Sequence, residues 1–296
     1  MTLLPRRPPA YWLRLLAFLL LLTPIGFWLF SVAGLVTAVT IPLQHPVCCD
    51  SPTRFGAPFE KVSFRTAEGL TLRGWYIPPQ NGAVIILLHP YYGDRMGVLR
   101  PAEMLYQHGY GILMYDQRAS GESEGKIRSL GWLDIPDVKE AVNFVVTRQK
   151  DIRIGISGCS SGGAIALGGA AFSPKIGAVA ADAPSPLSWD ENRPDFQADP
   201  FHALTFTTYF HIVALQAGAY APISTLEAIR TVSPRPILFI STGQGAEKAR
   251  VQSYYEAAAG PKIHFNLPSS SHCAAPHTHP AEYEQALVEF FDTYLK

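Results

Sequence analysis

The 296-residue sequence has few charged residues and no net charge. Only 16% of its positions are Asp, Glu, Lys or Arg, and 24 basic residues balance 24 acidic ones. A chain without excess positive charge has no field that attracts a polyanion, so we expect no nucleic-acid partner. With 48% hydrophobic residues, the chain is too apolar for a disordered protein, and we expect one large folded domain plus an additional segment.

Cysteine is also scarce. Cys48 and Cys49 are adjacent, Cys159 stands beside two serines, and Cys273 follows a histidine. Four cysteines are few for a secreted domain that depends on disulfides, and this arrangement does not predict a disulfide framework.

One long stretch lacks charge completely. Residues 15–43 contain no charged side chain, and this length exceeds the roughly 20 residues that cross a hydrocarbon core. We therefore expect residues 1–44 to form a membrane anchor, which makes the membrane a partner. The alternative is a signal peptide cleaved near residues 31–33, which would give a secreted protein.

Basic residues predict how this anchor is oriented. Arg6, Arg7 and Arg14 lie before the apolar stretch, and the next Lys or Arg is Arg54. The positive-inside rule then predicts a single-pass protein with a cytoplasmic N-terminus and an extracytoplasmic domain.

A linker and a hairpin are expected next. Residues 45–58 are rich in Pro and Cys and have no hydrophobic period, which is typical of a linker. The folded domain is predicted over residues 59–296. Apolar residues alternate with polar ones on both sides of Ala67-Glu68-Gly69, which predicts a β-hairpin with its turn there.

Six short apolar runs follow, and each has the pattern of a strand buried on both faces of a parallel sheet. The runs are 83–89, 110–115, 152–157, 177–182, 236–241 and 263–267. Apolar residues with helical spacing over 134–150 and 280–295 predict helices that cover the sheet. The pattern predicts an α/β fold with a mostly parallel central sheet flanked by helices.

The interval between residues 182 and 236 is longer than one crossover helix needs. Residues 199–220 within it are aromatic and apolar. We expect a small helical cap over about 186–230, with an ordinary packing helix as the alternative.

The stretch "GISGCSSGGAIAL" carries the main functional signal. Gly158 to Gly162 form a G-x-S-x-G motif between a predicted strand and a predicted helix, where a sharp turn exposes the serine. Ser160 is therefore the candidate nucleophile. The N–H of Ser161 at the helix start is a candidate donor to an oxyanion. Tyr91 is the second candidate donor, because Pro90 in the same loop has no N–H.

A serine nucleophile needs a histidine base. His272 follows the last predicted strand, and His277 and His279 are the fallback candidates. These histidines and Cys273 are also a candidate metal cluster, but their spacing fits no zinc pattern. We expect no metal or organic cofactor.

The acid that would hold this histidine is less clearly indicated. Glu247 is the one carboxylate in the loop after the 236–241 strand, and Glu can fill this role. A glutamate there also suits a helix N-terminus. Asp182, at the end of the 177–182 strand, is the alternative acid.

These residues in this order resemble the α/β-hydrolase fold superfamily, in particular its membrane-anchored bacterial and BEM46-like serine hydrolases. The segment "YDQRASGESEG" (115–125) is similar to a turn of that family, with Ala119 where glycine is usual. The resemblance implies that Asp116 and Arg118 pair to hold this turn.

The sequence thus predicts a serine hydrolase that cleaves an ester or related acyl bond through an acyl-enzyme on Ser160. A small-molecule ester or acyl compound is the expected substrate, and lipid-like substrates near the membrane are included. Serine peptidase and thioesterase activities are alternatives, because the pocket decides the substrate. A binding or scaffold protein without catalysis is the alternative from another class.

Overall fold

A central eight-stranded sheet organises the molecule. The computed structural model describes residues 7–192, 199–242 and 245–296. The strands are β1 (Glu60–Arg65), β2 (Thr71–Ile77), β3 (Ala83–Leu88), β4 (Gly111–Tyr115), β5 (Arg153–Cys159), β6 (Ile176–Asp182), β7 (Ile237–Ser241) and β8 (Lys262–Asn266). Their order across the sheet is β1-β2-β4-β3-β5-β6-β7-β8.

The first two strands differ from the rest in direction. β1 and β2 form an antiparallel hairpin, β2 pairs antiparallel with β4, and the remaining neighbours are parallel. The predicted turn closes the hairpin, since Gly69 has φ +88° and its N–H donates to Thr66 O at 2.9 Å. All six predicted apolar runs form strands, so the expected mostly parallel sheet is confirmed.

Helices cover both faces of the sheet. The helices are α1 (Pro9–Thr40), α2 (Leu99–Gln107), α3 (Asp134–Arg148), α4 (Ser161–Phe172), α5 (Trp189–Asn192), α6 (Pro200–Ala217), α7 (Thr225–Val232), α8 (Gly245–Ala257), α9 (Ala275–Thr278) and α10 (Pro280–Leu295). α2 and α10 share a hydrophobic core on one face, while α3, α4 and α7 share the core on the other. The helices predicted over 134–150 and 280–295 are α3 and α10.

The segment after the long apolar helix runs along the folded domain. Leu43–Gln44 pairs in parallel with Ser120–Gly121, and a short 3₁₀ helix spans Pro52–Phe55. The ring of Phe55 packs against Tyr106 of α2. The residues predicted as a linker therefore contact the domain that they precede.

The cap interval contains α5, α6 and the first residues of α7. α6 packs against the C-terminal part of α1, where the indole N–H of Trp28 donates to Thr205 Oγ1 at 3.0 Å. Val32, Val36 and Val39 of α1 are buried in the same core. The N-terminal helix and the cap are therefore in direct contact.

One predicted pairing is wrong. Asp116 and Arg118 both hold the 115–125 turn, but they do not bind each other. The Arg118 guanidinium donates two bonds to Asp137 of α3, at 2.8 and 2.9 Å. Asp116 accepts the backbone N–H groups of Arg95 and Glu122. The two side chains belong to separate buried networks because α3 supplies the carboxylate that Arg118 reaches.

Candidate active site

Ser160 lies at the sharp turn between β5 and α4. It has φ 57° and ψ −120°, a conformation that non-glycine residues rarely adopt. A Cβ atom at Gly158 would collide with the backbone of Gly162, and one at Gly162 would collide with the carbonyl oxygen of Leu88. The glycines of the motif are therefore required by the close approach of β3, β5 and α4.

The neighbouring strand β6 and the residues directly after it hold Ser160 in place. Its N–H donates to Asp182 O at 2.9 Å, and its carbonyl accepts the N–H of Ser185 at 3.1 Å. The hydroxyl groups of Ser160 and Ser185 are 3.1 Å apart and hydrogen-bonded. Sequence reasoning did not identify Ser185. Among the described residues, the Ser160 hydroxyl makes its bond to Ser185 and not to His272.

The structure brings His272 together with Glu247. Nδ1 of His272 lies 2.7 Å from Glu247 Oε2. The other carboxylate oxygen of Glu247 accepts the N–H of Thr242 at 2.8 Å and its hydroxyl at 2.7 Å. With the Nδ1 proton donated to a carboxylate, Nε2 of His272 is left as an acceptor, which is the form a general base needs.

Glu247 is suited to remain ionised. Partial burial acts to raise the pKa of its carboxyl, but the hydrogen bonds from Thr242 and His272 outweigh burial and lower the pKa below its usual value. An ionised carboxylate at this position stabilises an imidazolium when one forms on His272.

Asp182, the alternative acid, has a different environment. It is 2% exposed and lines a small cavity of about 50 Å³ together with Cys159, Cys273 and Tyr283. Burial and then the charge of Glu247 raise the pKa of Asp182 to about 7. Its carboxylate makes no hydrogen bond to His272, whereas Glu247 does.

The other histidines of the predicted cluster are turned to different contacts. His279 Nε2 bonds to Ser269 Oγ at 2.7 Å, and His277 lies in the last turn of α9. Cys273 is disulfide-bonded. In the part of the chain that the structure describes, no group of three or more His, Cys, Asp or Glu side chains could hold a metal ion.

A pocket of about 220 Å³ opens beside the nucleophile turn. Its walls include Tyr91 and Ser161, the two predicted oxyanion donors, together with Ser185. The apolar part of the wall comes from Leu130 and from three aromatic residues of α6, namely Phe206, Tyr209 and Phe210. Ser161 is the first residue of α4, where backbone N–H groups have no partner within the helix.

Tyr91 and His89 fix the loop after β3. The Tyr91 hydroxyl donates to Val39 O of α1 at 2.7 Å. His89 is fully buried, and its Nε2 accepts the N–H of Gln117 while Nδ1 lies 2.8 Å from Pro90 O. Complete burial lowers the pKa of His89 to about 4, so this histidine stays neutral and is structural.

The structure corrects the interpretation of the cysteines. Cys159 and Cys273 form a disulfide between residues separated by 114 positions, while Cys48 and Cys49 are free and exposed. Cys159 directly precedes Ser160, and Cys273 directly follows His272. Since Ser160 and His272 are predicted to lie close together, their neighbours Cys159 and Cys273 must lie close together as well. This reasoning could have predicted the disulfide from the sequence.

Comparison with known proteins agrees with this architecture. The sequence model of the family described as X-Pro dipeptidyl-peptidase (S15 family) matches residues 75–229. An esterase from Pyrococcus furiosus has a similar fold, with a TM-score of 0.70 and 24% identity over 87% of this chain and 99% of that chain.

Two curated fungal relatives match a part of the chain. A polyketide transferase of Penicillium is 31% identical over 43% of this chain, and a thiohydrolase of Aspergillus aculeatus is 34% identical over 40% of it. The matches span 45% and 39% of those proteins, which is less than half of their length. Taken with the eight-stranded sheet and the serine turn after β5, the family match shows that this chain belongs to the X-Pro dipeptidyl-peptidase (S15) family, within the α/β-hydrolase superfamily.

Proposed function

We propose that this protein is a membrane-tethered serine hydrolase that cleaves an ester or related acyl bond through an acyl-enzyme on Ser160. Family membership supports an enzyme of the α/β-hydrolase type. The observation that carries the proposal is the 2.7 Å bond between His272 and Glu247. It gives the histidine next to the serine turn the orientation and the free nitrogen of a general base.

The reaction begins when His272 Nε2 takes the hydroxyl proton of Ser160 and the oxygen attacks the substrate carbonyl carbon. The N–H groups of Tyr91 and Ser161 hold the oxyanion of the tetrahedral intermediate. His272 then gives its proton to the leaving group as the scissile bond breaks. A water deprotonated by His272 attacks the acyl-enzyme, and the acid product leaves with Ser160 restored.

The Ser160 hydroxyl must turn before this reaction starts. In the structure it is bonded to Ser185, and catalytic hydrogen bonds in free enzymes are often loose and tighten when substrate binds. When the Ser160 side chain rotates towards His272, its hydroxyl gives up the hydrogen bond to Ser185 and donates one to Nε2 of His272 instead.

The pocket favours an apolar acyl group. Leu130 and three aromatic residues of α6 form the apolar part of its wall. An apolar acyl chain gains free energy when it moves from water into such a pocket. A thioester is the second candidate substrate, because a thiohydrolase is among the relatives. A peptide bond is the third, since the family carries the name of a peptidase.

A binding protein that has lost catalysis is less well supported. Such a protein is expected to lack a working acid, but Glu247 is bonded to His272 and its pKa is lowered.

The division of α1 into two parts supports a membrane anchor. α1 is long and apolar enough to cross a membrane. From Pro9 to Phe27 the side chains are exposed, apart from Leu15, and at 1.5 Å per residue this part is about 28 Å long, close to the roughly 30 Å of a hydrocarbon core. The part from Trp28 to Thr40 packs against the domain. A disulfide is also the form expected in an extracytoplasmic compartment.

Turnover of a panel of substrates tests the reaction. We expect the wild-type protein to hydrolyse p-nitrophenyl esters, with kcat/KM increasing with acyl length, and Ser160→Ala to lose roughly 10⁴-fold or more in kcat. Ser253→Ala on the exposed side of α8 is the control and should match the wild type. Equal rates for Ser160→Ala and wild type would show that Ser160 is not the nucleophile.

Thiol labelling in intact cells tests the membrane orientation. Cys48 and Cys49 are free, exposed and close to the end of α1. A membrane-impermeant maleimide should label them in intact cells, and the signal should disappear in the Cys48→Ser/Cys49→Ser variant. Labelling only after lysis would place the domain in the cytoplasm, and an intact mass without α1 would indicate cleavage.

A further inference from the structure

We propose that the Cys159–Cys273 disulfide positions the catalytic histidine, so that a dithiol reductant switches the enzyme to a low-activity state. This inference rests on the function proposed above. Cys159 and Cys273 are positioning residues in this account, since they act through Ser160 and His272 and do not touch the substrate.

The place of the disulfide in the chain is the first reason. One sulfur belongs to the residue before Ser160 and the other to the residue after His272. The Cα atoms of the two cysteines are 5.8 Å apart. The covalent bond therefore joins the immediate backbone neighbours of the nucleophile and the base.

The second reason is how the segment of His272 is held. Two hydrogen bonds join this segment to the residues that directly follow it, that of Ser269 with His279 and that of Ser270 with Thr278. The side chain of His272 is 52% exposed. His272 and Cys273 themselves are tied to other elements by the bond to Glu247 and by the disulfide, whereas Ser270 and Ala275 on either side of them are buried.

The backbone of Cys273 gives a third reason. Cys273 has φ +59°, in the left-handed region that a residue with a Cβ seldom adopts. A local conformation of this kind persists when the surrounding structure determines it. The disulfide is such a determinant, because it fixes where the Cys273 side chain must lie.

Loss of the disulfide should affect chemistry more than binding. The hydrogen bond to Glu247 orients the imidazole ring but does not set its distance from Ser160. A general base must come within about 2.6–3.2 Å of the proton that it removes, and a displacement of about 1 Å can cost roughly 100-fold in rate. The larger apolar side chains of the pocket wall belong to α6 and to the loops at Tyr91 and Leu130, away from the segment of His272, so substrate binding should change little.

The redox step balances with a dithiol as the reductant. One thiolate of the dithiol attacks a sulfur of the disulfide, the S–S bond breaks, and the second thiol of the reductant resolves the mixed disulfide. Two electrons pass to the protein, which gains two thiols, while the dithiol becomes a cyclic disulfide. Cys159 and Cys273 are both partly exposed, so a small dithiol can reach them.

The test uses the full chain in detergent. The protein is titrated with dithiothreitol, the state of each cysteine is determined by mass spectrometry, and kcat and KM are measured on a short p-nitrophenyl ester. We expect kcat to fall at least 10-fold as the 159–273 bond is reduced, with KM within about twofold of its starting value. Glutathione disulfide should restore kcat, and circular dichroism should show that the reduced protein stays folded.

Two variants make the result specific. Cys48→Ser/Cys49→Ser removes the free exposed thiols and should respond to dithiothreitol as the wild type does. Cys159→Ser/Cys273→Ser should start with a low kcat and show no further response. If this second variant does not fold, reduction of the folded wild type still decides the question.

The outcomes separate the inference from the function on which it rests. A fully reduced protein with unchanged kcat contradicts the positioning role while leaving the serine hydrolase intact. A rise in KM at constant kcat also contradicts it, since that would show a change in binding. Absence of turnover in the oxidised protein, on every substrate class tested, contradicts the proposed function, and the positioning role falls with it.

Discussion

The nucleophile and the base of this protein are held in two different ways. Ser160 lies between β5 and α4, where the residues of α4 from Ser161 to Ala170 are buried and the glycines touch neighbouring backbone. His272 lies between β8 and α9 with its side chain half exposed, and it is held by Glu247 and by the neighbouring disulfide. Close packing fixes the first region, and a small number of specific bonds fixes the second.

This difference determines how each region should fail. A packed turn resists small changes until a new atom has no room, and the cost then appears as lost stability. A segment held by a few bonds tolerates new atoms, but it loses its geometry when one bond is removed. Mutations in the packed region should therefore lower stability, whereas loss of the hydrogen bond between Glu247 and His272 should lower kcat at nearly constant stability.

Apart from loss of the nucleophile itself, the largest effect is expected from Glu247→Gln, which removes the carboxylate that holds His272. An amide can donate to Nδ1 of His272 and so favour the tautomer that cannot accept the serine proton, and we expect kcat to fall by roughly 10²–10⁴-fold. The Tm of this variant should differ from that of the wild type by only a few degrees. Glu256→Gln, at an exposed position of the same helix, is the matched control. An unchanged kcat in Glu247→Gln would exclude Glu247 as the acid.

Gly162→Ala tests the packed region. The new methyl group would meet the carbonyl oxygens of Leu88 and His89, so the turn and β3 must separate. We expect a loss of about 2–3 kcal/mol in the free energy of unfolding and a Tm lower by roughly 5–10 °C. Gly34→Ala in α1, where nothing lies within 4 Å of the new atom, should not lower Tm, because alanine is a better helix former than glycine. Equal Tm values for both variants would contradict the packing account.

A smaller, pH-dependent effect is expected at Asp182, which lies beside the disulfide where the two regions meet. Its pKa is raised to about 7 by burial and by Glu247, so the folded protein holds this proton more tightly than the unfolded chain does. The stability associated with protonated Asp182 is present below about pH 4 and is lost as the pH rises towards 7.

Asp182→Asn keeps the shape of the protonated acid without titrating. The Tm of the variant should therefore improve relative to wild type between pH 5 and pH 8, by the equivalent of about 1–3 kcal/mol. Asp151→Asn at an exposed position should show no such trend. A constant Tm difference between Asp182→Asn and wild type across this range would show that Asp182 does not titrate there.

The sequence predicts the packed region better than the bond-held one. The strands and the Ser160 turn can be predicted from short stretches of sequence. Apolar runs indicate buried strands, and closely spaced glycines indicate a turn where backbones approach each other. The choice between Glu247 and Asp182 depends on which loop reaches His272 across the sheet edge, and the spacing along the chain does not contain this distance.

The same limit explains the other differences. The Cys159–Cys273 bond joins residues 114 positions apart, and the bond of Ser160 to Ser185 depends on where the cap begins. Arg118 was expected to pair with Asp116 two residues away, but α3 brings Asp137 to it. In each of these three cases the partner residue comes from a distant part of the chain or from another element, which a local sequence pattern does not reveal.

Labelling with a fluorophosphonate, which reacts with activated serines, tests the central claim most directly. The full chain is treated in detergent, and the modified peptide is mapped by mass spectrometry in the wild type and in His272→Ala. The account predicts a label on Ser160 that is lost in His272→Ala. A folded wild-type protein without label on Ser160, or with the same labelling rate in both proteins, would contradict an activated nucleophile at this site.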